Sequence, residues 1–500
     1  MFFDYFMFLF EFSKSFIMKK YLLIIILIVF PGLLTAQGVL TLKQCREMAL
    51  VHSQKVQIAK EGIAKAQYLR KAAFTQFLPE FSFSGAYAYM NKEMGLLNQD
   101  QYLPVVPYSA INSDGTLDPS KLGPEDIVIN PSTGQPVLDA NGNLVFQHYS
   151  YIPADAFNLD LRNVWLFNAG VSQPIFTGGK IYNLYKSAGI NQRMAEGQLR
   201  MEQDAVIYDA EDLYWKFVSV REKVRLAESY KRLLDTLVRD LQNLYDEGIV
   251  ISNDLLRARV KQDEAQLMLM GANDGFVLSR MALCSAIGLP VDSLIYPSDS
   301  LMLTEPLPQV HQGDFIGLRP ELGILRNASG LAQTGVNIMK SRFLPDIGLT
   351  ANYTFGNPNP FNGFEKEFGG IWNVELVCKI PLFHFGERFH TLNAARSEQR
   401  VADLKLREAE EQIGLQVRQA RFRYDESVLR REQSRRMVEQ AEENLRVTND
   451  HFSEGLNKAW DVMEAQSLWQ QATTAHLEAM TECRLADVWL QKVTGTLSEK

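Results

Sequence analysis

The chain of 500 residues has only four cysteines, Cys45, Cys284, Cys378 and Cys483, and none are in CxxC spacing, which excludes a disulfide scaffold and a thiolate metal cluster. They read as packing residues. Its seven histidines form no HExxH, Thr177-Gly178-Gly179-Lys180 lacks the Walker spacing, and no Gly-x-Ser-x-Gly occurs. An enzyme is not expected, nor is a cofactor or a metal. Basic runs are missing too. With 51 Lys and Arg against 59 Asp and Glu, a net charge of −8, there is no electrostatic footprint for nucleic acid. Past Gln37 no apolar stretch reaches the ~20 residues of a spanning helix, so a mature chain that enters a bilayer must do so as a β-barrel. Proline is absent from Thr177 to Tyr245 and again from His384 to Phe452, which leaves room for two uninterrupted helices.

What is present begins with a globular composition, 46% apolar and 22% charged. Met18-Lys19-Lys20 is basic, Tyr21 to Phe30 is apolar and Leu34-Thr35-Ala36 is a small-residue ending, the three parts of a secretory signal peptide. Its apolar run is about ten residues, half of a spanning helix. Residues 1–36 are therefore expected to be leader and signal peptide, cleaved near Ala36. No cysteine stands at that point, so no lipidated N-terminus is expected.

The strongest signal is an internal repeat. Pro174-Ile175-Phe176-Thr177-Gly178-Gly179 is echoed 207 residues later by Pro381-Leu382-Phe383-His384-Phe385-Gly386. The same offset pairs Glu247-Gly248 with Glu454-Gly455, Asp254 with Asp461, Ala258 with Ala465, and Gly288 with Gly495. Upstream, Phe77-Leu78-Pro79-Glu80 pairs with Phe343-Leu344-Pro345-Asp346 at 266, so the first unit carries a 59-residue insertion between its two motifs. The expected organisation is a first repeat over 37–290, a linker over 291–318 and a second repeat over 319–500. Each repeat reads helix, strand, loop, strand, long helix, hairpin tip, helix. The first repeat's loop, 91–157, is rich in Pro, Gly, Asn and Asp and is expected to be extracellular.

The strands show period two: Phe81, Phe83, Tyr87 and Tyr89 alternate with Ser82, Ser84, Ala86 and Ala88, and Leu349, Ala351, Tyr353 and Phe355 alternate with Thr350, Asn352 and Thr354. Trp372, Val374, Leu376 and Cys378 alternate with Asn373, Glu375 and Lys379 in the same way. A lipid-facing barrel strand with a wet lumen has this pattern; so does a half-buried soluble sheet. In the proline-free stretches Leu226, Tyr230, Leu233, Leu237, Leu241 and Leu244, and later Leu406, Ala409, Ile413, Val417, Ala420 and Tyr424, recur at helical spacing. Each stretch could run about 100 Å. Stripes of this kind also occur in ordinary bundles and coiled coils.

Two repeats supply four strands of about ten residues, enough to cross an outer membrane but too few to close a barrel alone. An open edge in lipid would leave backbone groups unpaired, so a membrane-bound chain must associate. The signal sequence, the duplicated halves, Phe-Leu-Pro before a strand and Pro-x-Phe-x-x-Gly after one resemble the TolC-like outer-membrane efflux protein family, over essentially all of 38–497. So does the Tyr/Phe-x-x-Gly tip with an aspartate six residues on. The resemblance implies an α+β membrane protein in which four strands per chain contribute to an oligomeric 12-stranded β-barrel, with a long α-helical coiled-coil tunnel. It implies a homotrimer in outer-membrane lipid, a passive duct for efflux or type I secretion, and docking to a periplasmic adaptor (membrane fusion protein) and an inner-membrane pump. The alternative is an exported soluble coiled-coil scaffold without transport activity.

The same resemblance assigns the site. The turns Leu244 to Leu256 and His451 to Met463 match the family's hairpin tips, with Tyr245, Gly248 and Asp254 in the first and Phe452, Gly455, Asn457 and Lys458 in the second as adaptor contacts. Asp461 and Glu464 match the carboxylates of the family's channel constriction. The plain role for Asp461 and Asp254 is helix N-cap. Two positions depart from the family pattern: Asn457 stands where a latch arginine is found and Phe452 where a tip tyrosine is, with Lys458 and Arg257 close by, so the arginine–aspartate latch does not carry over.

Overall fold

The computed structural model of the protein describes residues 38–301 and 319–497. The expected leader and signal peptide, Gln37, residues 302–318 of the expected linker and the last three residues lie outside them. Among the described residues seven α-helices run Leu42–His52 (α1), Gln54–Thr75 (α2), Lys180–Asp246 (α3), Ser252–Ile287 (α4), Pro320–Ser341 (α5), Glu387–Ser453 (α6) and Ala459–Thr494 (α7). Four long strands are Glu80–Tyr89 (β1), Asn163–Thr177 (β2), Asp346–Asn357 (β3) and Gly369–Lys379 (β4). The duplication is carried by equal elements: α2 and α5 both have 22 residues, α3 and α6 both 67, and α4 and α7 both 36. Gly288 and Gly495, the paired glycines, end α4 and α7 in the left-handed conformation.

The chain forms two compact units. In the unit of Ala72–Tyr182 and Ile338–Arg388, the long strands form one antiparallel sheet of order β4-β3-β2-β1. The registers Phe83↔Ala169↔Tyr353↔Trp372 and Ser84↔Asn168↔Thr354↔Ile371 show that one parity of every strand shares a face. That face gathers Phe81, Phe83, Tyr87, Trp165, Phe167, Tyr353, Phe355, Trp372, Val374 and Leu376, and the opposite face gathers Ser82, Ser84, Asn168, Thr350, Asn352, Asn373 and Glu375. Cross-strand ring contacts knit the aromatic face: Tyr87 and Trp165 at 4.5 Å, Phe167 and Phe355 at 5.1 Å. Most of its large side chains are exposed, Phe81 at 78% and Trp372 at 72%, while Phe167 and Phe355 are half-buried. Cys378 is exposed on that face as well, whereas the other three cysteines are buried, so the packing role holds for Cys45, Cys284 and Cys483 only. The outer strands β1 and β4 each pair on one side alone.

The 91–157 insertion is built of short pieces rather than open loop. Met94–Gly95 pairs with Asn158–Leu159 and Gln101–Pro104 with Tyr149–Ile152, continuing the β1–β2 hairpin as a ribbon. Turns at Gly115, Gly134 and Gly142 fold its far end around Ala110, Ile127 and Phe146.

The other unit is helical. Its core joins α1, α3, α4 and α7 through Ala49, Tyr214, Phe217, Leu283, Ile287 and Leu477. Thr41 opens α1 with a capping box, its Oγ1 accepting from the Gln44 amide while Gln44 Oε1 accepts from the Thr41 amide at 3.0 Å. Of the stripe read on α3, Tyr230, Leu237 and Leu241 are buried, joined by Leu234, and pack on Leu255 and Ala258 of α4 and on Ala459, Val462 and Met463 of α7. On α6 the buried positions Ile413, Ala420, Ser427 and Ser434 step by seven and Thr448 follows two heptads on, the seam of a coiled coil. Small side chains there face α7, with Ser434 Oγ 3.0 Å from His476 Nδ1 and Ala420 packed on Leu490 and Val493.

Candidate functional site at the helix-hairpin tips

Each tip reverses the chain in five residues, and both do so by the same hydrogen bonds. The Gly248 amide donates to the Tyr245 carbonyl and the Ile249 amide to the Leu244 carbonyl; Gly455 and Leu456 donate likewise to Phe452 and His451, all at 2.8–3.0 Å. Gly248 (φ 78°) and Gly455 (φ 73°) stand where a side chain would be strained, which is why the Glu-Gly pair recurs. The N-cap expectation for the aspartates is corrected here. The caps are Ile251 and Lys458, neither with a side-chain cap, and Asp254 and Asp461 occupy the third helical position. From there Asp461 Oδ2 accepts from the Lys458 amide at 2.9 Å, satisfying one of the free donors at the start of α7.

Glu464 follows Asp461 by three residues, so the two carboxylates share one face of α7, with Glu464 exposed and Asp461 half-buried. Tyr245, Gly248, Gly455 and Lys458 are exposed, while Phe452, Asn457 and Asp254 are partly covered. The structure sets the two tips side by side. A groove between them is lined by Leu244 and Asp254 from one and by Phe452, Asn457 and Lys458 from the other. Arg257 of the first tip lies over the Trp460 ring of the second, 5.8 Å from its centroid. Motif reading passed over this contact, because it links residues 203 positions apart and follows only from tips in register. Ile249, Ile251, Leu256 and Leu456 leave the tips with exposed apolar ends. Among the described residues no group of three or more His, Cys, Asp or Glu could hold a metal ion.

The model of the outer membrane efflux protein family matches residues 136–289 and 316–496, both halves of the duplication. The chain belongs to that family. Membership of the outer membrane efflux proteins places it in the outer membrane and removes the soluble-scaffold alternative. Alkaline protease secretion protein AprF of Pseudomonas aeruginosa is 21% identical over 341 residues, 66% of this chain and 69% of that protein. Fusaric acid resistance protein FusA of Burkholderia cepacia is 29% identical over 107 residues, so the match spans only 20% of FusA. The crystal structure of outer membrane protein VceC from Vibrio cholerae, 15% identical, superposes over 91% of this chain and 96% of its own with a TM-score of 0.65, which shows a shared fold.

Proposed function

We propose that the protein is one protomer of a homotrimeric channel, a passive exit duct from the periplasm across the outer membrane, fed by a periplasmic adaptor and an inner-membrane pump. The observation that carries this is the four-stranded sheet with one apolar face, one polar face and two unpaired edges. Such a sheet cannot stay open in lipid, because each unpaired backbone group there costs several kcal/mol. Pairing β1 of one chain with β4 of the next closes the ring, and three chains give twelve strands around a polar lumen. The helical unit supports the same reading. Leu415, Phe422 and Leu429 form an exposed seven-residue stripe on α6, and Leu256, Val260 and Leu267 an exposed stripe on α4. Each is an unpartnered seam of the kind that a neighbouring protomer covers.

In this duct the 91–157 ribbon lies outside the cell, and the paired tips form the periplasmic end and its adaptor contacts. Asp461 and Glu464 of three chains ring the constriction. The named relatives concern a small organic acid and a protease, so the fold itself does not select one cargo class. The test is mass and conductance together. Detergent-purified protein is expected to run as a heat-sensitive trimer and to give discrete conductance steps in planar bilayers; a monodisperse monomer without channel activity overturns the reading.

A further inference from the structure

Between the sheet and the ribbon the β1–β2 hairpin narrows to two short connections, 90–93 and 160–162, where one backbone bond, from the Met90 amide to the Arg162 carbonyl, joins them. An ion cluster occupies this neck. Asp160 Oδ1 accepts from Arg162 Nε at 2.8 Å, and its Oδ2 accepts from Arg162 Nη2 at 2.7 Å and from Lys366 Nζ at 2.6 Å. Arg162 Nη2 also reaches Glu93 Oε1 at 3.1 Å across the neck. Lys366 comes from the other hairpin, the β3–β4 loop. It is presented by a closed turn in which the Asn359 amide donates to the Glu365 carbonyl at 2.8 Å and the Phe364 amide to the Asn359 carbonyl at 3.0 Å. Asp160 thus ties its own side of the neck to the second loop, and Arg162 carries the tie across to Glu93 on the other side.

We infer that Asp160 and Lys366 form a latch that fixes the 94–159 lobe to the neighbouring hairpin loop and so sets how far the lobe can swing at the outer mouth. This rests on the duct reading for its function, but not for its geometry. The cluster is balanced, with Glu93 and Asp160 against Arg162 and Lys366, so no net charge drives it apart. Lys366 is 69% exposed, and exposed pairs are weak and screened by salt, which suits a contact that opens and recloses. Hydrogen bonds from Arg162 and then Lys366 hold the Asp160 carboxyl well below the usual carboxylate range. Mild acid therefore leaves the latch charged, and ionic strength is what releases it.

The experiment is limited proteolysis of intact cells, scored as cleavage within 94–159, with oligomer heat stability as the assembly control. Lys366→Gln is expected to speed cleavage about fivefold at low salt, Lys366→Arg to leave it near wild type, and 1 M salt to bring wild type up to the Lys366→Gln rate. In a Cys378→Ser background, Asp160→Cys with Lys366→Cys, oxidised to the disulfide, should cut cleavage below wild type, and a reductant should restore it. Equal rates for Lys366→Gln and wild type at every salt concentration overturn the latch. Cleavage seen only after permeabilisation would overturn the outward topology instead, and the same variant-to-wild-type ratio, measured on permeabilised cells, still decides the latch.

Discussion

Asp461 combines a structural and an electrostatic role, and the two can be separated. Its Oδ2 holds the Lys458 amide at the start of α7, while in the proposed duct its charge, with that of Glu464, would line the constriction. Asparagine keeps an acceptor oxygen at that position and removes the charge. The double variant Asp461→Asn with Glu464→Gln is therefore expected to lower cation selectivity and weaken block by multivalent cations in planar bilayers, with oligomer stability little changed. Asp461→Ala should in addition loosen the tip by about 0.3–1 kcal/mol, through loss of a favourable anion in the first turn. Selectivity unchanged in the double variant would confine both carboxylates to the helix start and move the constriction to other residues. Asp254, at the matching position, has no recorded side-chain bond to Ile251, so motif equivalence did not carry over to equal bonding.

On the scale of elements, the α6–α7 seam carries a titratable side chain. His476 lies against Ser434 and is covered by α6; burial, then the Arg431 and Arg435 guanidinium groups, push its imidazole below the ordinary value of 6.5, with Glu432 pulling weakly the other way. An imidazole depressed in the folded state takes up its proton more readily in the unfolded chain. The seam's stability is then complete above about pH 6.5 and falls as pH drops towards the folded value. Thermal melting of the purified protein followed from pH 7.5 to 5.5 should show this fall, and His476→Gln should flatten it; a slope unaltered by the substitution would locate the acid sensitivity elsewhere. The seam also shows where the sequence was hard to read. Ile413 and Ala420 were visible as apolar periodic residues, but Ser427 and Ser434 continue the same spacing as polar letters. Their hydroxyls donate locally, to the Tyr424 carbonyl at 2.7 Å and the Arg431 carbonyl at 2.9 Å, which lets them be buried, with Ser434 also meeting His476 of α7. The strands were legible for the opposite reason, since β-register preserves a period of two along each strand, broken only by the bulge between Pro174 and Phe176 of β2 against β3. The Asp160–Lys366 contact had no local signal at all, because it joins loops whose proximity is created by sheet order.

For the whole molecule, the decisive property is which face of the β4-β3-β2-β1 sheet meets lipid. If three chains close a barrel, the face of Phe83, Trp165, Tyr353, Trp372 and Val374 points to the membrane and that of Ser84, Asn168 and Asn352 to the lumen. Val374, 57% exposed, is on the first face in the central part of β4, and Ser84 is on the second in β1. A cation on the lipid side of a barrel costs roughly 2–4 kcal/mol near the midplane, whereas a lumen cation remains hydrated. Val374→Arg is therefore expected to reduce the assembled oligomer in the outer-membrane fraction sharply. Ser84→Lys should assemble at wild-type levels and instead lower cation conductance, because each trimer gains three positive charges in its lumen. The two substitutions exchange outcomes if the sheet closes the other way round, with the aromatic face turned inward. Equal tolerance of both would mean that neither face meets lipid, and the sheet would then have to satisfy its two open edges by some means other than a closed barrel.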